Sequence, residues 1–134
     1  MFKKTIKYEN FNGEEVTEDL YFNLTKAEVL KMELETPGGY AAKLKEMYLK
    51  KDIPLLMKYM DEIILDSYGI KSPDGRKFMK SAEIRADFEA TNAYSELYME
   101  LLTDADKATA FINAVFPVEA NAEAIEEAKK ELNM

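Results

Sequence analysis

The chain has 134 residues, with 18 basic and 26 acidic side chains, a net charge of −8, and neither cysteine nor histidine. Those two absences exclude disulfides, thiol nucleophiles and thiolate metal sites, and remove the commonest general base and transition-metal ligand. At 47% apolar and 33% charged residues, the composition is that of a globular protein and too apolar for wholesale disorder.

Length predicts a single domain over residues 1–134, large enough to bury a core. Charge is unevenly spread. Residues 1–82 hold 14 basic and 14 acidic side chains, whereas residues 83–134 hold 4 and 12. A surface of that sign repels phosphate backbones, so nucleic-acid binding is not expected. The start, "MFKKTIKYENF", lacks the apolar region of a signal peptide. No apolar run reaches the roughly 20 residues that span a membrane, so the expected location is the cytoplasm of the cell that makes the protein.

In chain order, residues 2–8 place Phe2, Ile6 and Tyr8 on one side of an extended segment, and residues 14–22 do the same with Val16, Leu20 and Phe22. Period-two alternation predicts two half-buried strands. The intervening "ENFNG" suits a turn with positive φ at Asn12 and Gly13. This hairpin, residues 1–22, needs a helical partner or another chain to cover it. Residues 25–117 read as a helical core. Thr25 and Glu28 form a capping-box signature ahead of "KAEVLKMELE", which "PGG" at 37–39 ends. Residues 40–51 place Tyr40, Leu44, Met47 and Tyr48 on one stripe. Asp52 caps a helix over 53–68 with Pro54 in its first turn. Ile53, Leu56, Met57, Met60, Ile63, Ile64 and Tyr68 then form a core-facing stripe. Ser81, Thr91 and Asp104 each cap a further helix, and Pro117 ends the last of these. Residues 118–134 read as an acidic C-terminal helix whose large apolar residues before its end are Ile125 and Leu132. The fold class predicted is mainly α: a helical bundle with an N-terminal β-hairpin.

"SYGIKSPDGRKFMKS", residues 67–81, interrupts the helical run. Gly69 suits the left-handed residue just past a helix end. Pro73, Asp74 and Gly75 read as a structural β-turn: proline fixes φ, the aspartate bonds nearby backbone, and glycine relieves strain. The stretch lacks the glycine order and Lys-Ser/Thr pair of a phosphate loop, and the alternating ligands of a calcium loop. Adjacent carboxylates such as Asp61 and Glu62 point different ways on a helix. No catalytic residue, metal site or cofactor is therefore predicted. The exposed cations Lys71, Arg76 and Lys80, with Tyr68 and Phe78, are candidate partner contacts, and so are Tyr94 and Met99 on a later helical stripe. The methionines Met47, Met57, Met60 and Met99 fit core packing, and also an adaptable surface for apolar segments.

In order, "YFNLTKAEVLKMEL", "GGY", "IILDSYGIKSPDGRKFMKS" and "FEATNAYSELYMELLTDADKATAFINAVFP" resemble a family of small acidic tail assembly chaperones of long-tailed bacteriophages. The likeness covers about residues 1–117. Its most specific part runs from Tyr68 to Ser81. Its second part comprises Ala93–Leu97, Met99–Leu101 and Phe111–Asn113. The resemblance implies a non-enzymatic helper that coats the aggregation-prone tape-measure protein before the tail tube forms, in the host cytoplasm, and that is missing from the mature virion. It also implies the major tail protein, a frameshifted longer form and further copies of the chain as partners. Two other readings fit the composition: a structural tail or connector protein whose hairpin extends a neighbour's sheet, and a small acidic regulatory binder or inhibitor.

Overall fold

The computed structural model describes residues 1–40, 42–43, 46 and 50–117. Leu44, Met47 and Tyr48 of the second expected stripe lie outside that set, as does the expected helix over 118–134.

Strands β1 (Phe2–Glu9) and β2 (Glu15–Phe22) form the expected hairpin, paired antiparallel from Phe2↔Phe22 to Glu9↔Glu15. Alternation sends Phe2, Ile6, Leu20 and Phe22 inward. The outer face is polar and carries ion pairs from Lys3 to Asp19 and from Lys7 to Glu15. In the turn, Asn10 does most of the work, its side-chain oxygen accepting from the amides of Asn12 and Glu14 at 2.9 Å each. Gly13 takes positive φ as expected, but Asn12 does not, because the loop closes from Asn10 rather than through a two-residue turn.

Helix α1 (Lys26–Glu35) starts with the full capping box: Thr25 accepts from Glu28, and the Glu28 carboxylate accepts from the Thr25 amide. Helix α2 (Ile53–Ser67) is capped by Asp52 with Pro54 in its first turn. It ends one residue earlier than the periodicity suggests. The Ser67 hydroxyl bonds back to the Ile63 carbonyl, and the Ser67 carbonyl accepts from the Asn23 amide, so the chain turns directly into a strand. That strand, β3 (Tyr68–Lys71), pairs with β2 through Phe22↔Tyr68 and Tyr21↔Gly69, and with β4 (Phe78–Met79) through Ile70↔Met79 and Lys71↔Phe78. The result is a four-stranded antiparallel sheet ordered β1-β2-β3-β4, under helices α3 (Ala82–Glu89), α4 (Asn92–Thr103) and α5 (Ala105–Val115). Ser81, Thr91 and Asp104 cap these helices as expected.

The architecture is thus helix-rich with an antiparallel sheet, which corrects the expected bundle with only an N-terminal hairpin. The stretch read as a structural turn between helices is a second hairpin that completes the sheet.

Phe22 is the hub of the core. It is fully buried and meets the rings of Phe2, Tyr68, Phe88 and Phe111, with centroids 5.4–6.3 Å apart. Aromatic contacts continue through Phe88 to Tyr94 and Tyr98, joining β1, β2, β3, α3, α4 and α5 in one connected set. Burial of each large ring is worth about 1.5–3 kcal/mol before geometry is counted. The amide of Leu24 donates to the carbonyl of Val115 at 3.0 Å, so the end of α5 is fastened to the β2–α1 link.

Candidate partner-binding surface

The loop between β3 and β4 is built around Ser72 and Asp74. The Ser72 hydroxyl donates to Asp74 at 2.6 Å and accepts from the Lys77 amide, while Asp74 also accepts from the Arg76 amide. The bond from Ser72, then the one from the Arg76 amide, holds the Asp74 carboxyl below its ordinary range. Gly75 takes φ +75°, which a side chain would resist. The Gly75 amide donates to the Ser72 carbonyl at 2.9 Å, which puts Pro73 and Asp74 at the centre of the turn.

Gly69 does not serve as expected. It has no positive φ and lies buried within β3, where a Cβ would come 2.6 Å from the Phe78 ring and 3.0 Å from the Met79 carbonyl. Its missing side chain makes room for Phe78 instead of ending a helix.

The seven candidate contacts separate into three groups. Tyr68 and Tyr94 are half-buried and pack against the core. The Tyr68 ring stacks on Phe88 at 4.0 Å, and the Tyr94 hydroxyl donates to Asp61. Lys80 and Phe78 are tied within the molecule: the Lys80 ammonium donates to Glu28 and to the Asn23 carbonyl, each at 2.7 Å, and sits 5.6 Å from the Phe78 centroid. The third group is Lys71, Arg76 and Met99. Lys71 is half-buried, its ammonium donating to the Ser72 carbonyl at 3.3 Å and lying 6.0 Å from the Tyr21 ring, whereas Arg76 is exposed at the loop and Met99 is 53% exposed on α4.

Sequence reasoning passed over several exposed side chains. Ile70 and Met79, opposite one another across β3 and β4, are 45% and 42% exposed. Ile53 and Met57, assigned to a core stripe, are exposed one turn apart at the start of α2, while Met60 is buried. An open groove of about 350 Å³ runs between α1, the end of α2 and the start of α3. Leu24, Met32, Leu65 and Tyr68 are among its lining residues, and the ion pairs Glu28–Lys80 and Asp66–Arg85 lie along it. Burial raises the carboxyl of Glu28, but the bonds from Lys80 and Thr25 outweigh it, so the group titrates below its ordinary range. Glu100 behaves alike, with Lys4 and Lys107 as its donors. Asp61 is shifted the other way, by burial and by the nearby Glu89 charge.

No group of three or more potential metal ligands is gathered among the described residues, and no helix there is long and apolar enough to cross a membrane. A family model described as phage tail assembly chaperone matches residues 1–133. The chain belongs to that family. The family is a non-catalytic kind of protein. No curated protein and no solved structure was found to match the chain. The β3–β4 hairpin and its flanking exposed residues are therefore a feature of a tail assembly chaperone.

Proposed function

We propose that this chain binds the tape-measure protein during tail morphogenesis and keeps it soluble, acting in the host cytoplasm and leaving before the virion matures. Membership of the family across residues 1–133 carries the reading. A holding protein needs apolar side chains open to solvent and enough charge to stay dissolved. Ile53 and Met57 on α2 and Met99 on α4 supply the first, and the net charge of −8 supplies the second. Helical apolar ridges of the held chain would meet these side chains, with methionine adapting to different sequences.

The test is co-expression of the tape-measure protein with and without this chain. Soluble tape-measure protein only in its presence is the expected result, with Ile53→Asp plus Met57→Asp lowering the yield. Equal solubility in its absence would sink the reading.

A further inference from the structure

Leu24 stands at a junction. Its amide donates to the Val115 carbonyl at 3.0 Å, and it also lines the open groove of about 350 Å³ between α1, the end of α2 and the start of α3. Phe116, the next residue after Val115, packs against the core. The chain therefore leaves α5 beside the groove, and residues 118–134 set out from there. No long linker has to be closed for this segment to reach the groove, so little loop entropy is lost when it does.

The groove and the segment are complementary. Leu24, Met32, Leu65 and Tyr68 give the groove an apolar lining. Its charged side chains are net positive within an acidic chain: Lys31, Lys80 and Arg85 against Glu28 and Asp66, with Lys31 exposed. Residues 118–134 carry five glutamates and two lysines. On helical spacing, Val118, Ala122, Ile125 and Leu132 fall on one stripe, with Glu119 and Glu126 along one side of it and Glu131 along the other. An amphipathic segment with acidic margins is what an apolar groove with basic margins accepts. We propose that residues 118–134 lay this stripe in the α1–α2–α3 groove of their own chain and withhold it from amphipathic segments of other proteins until they are displaced.

The test uses the full chain and no tape-measure protein, so it is independent of the function proposed above. The chain has no cysteine, so Glu127→Cys supplies a single thiol for a nitroxide label. The amide NMR signals of Met32, Leu65 and Ala82 should be broadened by the label. Those of Asn12 and Gly13, at the far end of the first hairpin, should keep their intensity. Adding Ile125→Asp and Leu132→Asp should restore the groove signals. A dye-labelled peptide of residues 118–134 should bind the unlabelled Ile125→Asp, Leu132→Asp chain, followed by fluorescence anisotropy. It should bind the wild type about tenfold or more weakly, because a tethered segment competes at an effective concentration of about millimolar. Groove signals that keep their intensity would overturn the proposal. So would broadening that arises only between nitroxide-bearing chains and separate isotope-labelled chains, which would make a second copy the donor of the segment. A peptide that binds both forms equally, or neither, would overturn it as well.

Discussion

Gly69→Ala tests whether the second hairpin is packed as described. The added Cβ would sit 2.6 Å and 2.9 Å from two Phe78 ring atoms and 3.0 Å from the Met79 carbonyl, where ordinary contact begins at 3.4 Å. The ring can tilt, since Phe78 is only half-buried. The Met79 carbonyl is backbone of the paired strand and has less freedom. Overpacking of this kind costs about 1–3 kcal/mol. Replacing glycine at a permitted φ returns about 0.4–1 kcal/mol through the unfolded chain. The net expectation is a loss of about 1–2 kcal/mol, which lowers Tm by roughly 3–10 °C for a chain of this size. Thermal unfolding followed by circular dichroism measures it. A second arm repeats the substitution in a Phe78→Ala background, where most of the overlap is gone and the cost should shrink. An unchanged Tm in the first arm, or an equal cost in both, would refute the close approach of Phe78 to Gly69.

Phe22→Ala, which removes the ring that four others touch, should cost about 3–5 kcal/mol in denaturant unfolding. Asp104→Ala leaves the amides of Asp106 and Lys107 without their acceptor and should cost about 1 kcal/mol by the same assay. The buried Tyr40 hydroxyl has no hydrogen-bond partner among the described residues, so Tyr40→Phe should leave the melting temperature unchanged or raise it. Glu28 and Glu100 have folded pKa values below the ordinary 4.5, so their contribution is present above that pH and disappears as pH falls through the lowered values. Glu28→Gln with Glu100→Gln should flatten the fall of Tm below pH 4.5, and an identical acid limb would count against these two groups.

Much of this fold can be read from local signals. The alternation of residues 2–8 and 14–22 marks β1 and β2, and Thr25, Asp52, Ser81, Thr91 and Asp104 mark helix starts through bonds that reach only two or three residues along the chain. The second hairpin was hidden because β3 has four residues and β4 two, too short for a period to show. A glycine soon after a helix also mimics a helix end. What makes β3 a strand is Phe22 and Tyr21, more than 40 positions away. Long range likewise decided the candidate contacts: Lys80 is held by Glu28 across 52 positions, and Tyr94 by Asp61 across 33. Spacing alone placed Ile53 and Met57 in the core, but no described element covers the start of α2 closely enough to bury them. The family itself was legible in the Tyr68–Ser81 run, whose order of glycine, proline and charge is explained by the rigid hairpin it builds.

The most direct measurement dilutes the denatured tape-measure protein into buffer and follows light scattering against increasing amounts of this chain. Scattering should fall steadily and vanish near a fixed molar ratio, with a soluble complex recovered by gel filtration. Scattering that matches an equal mass of an inert acidic protein would contradict the account.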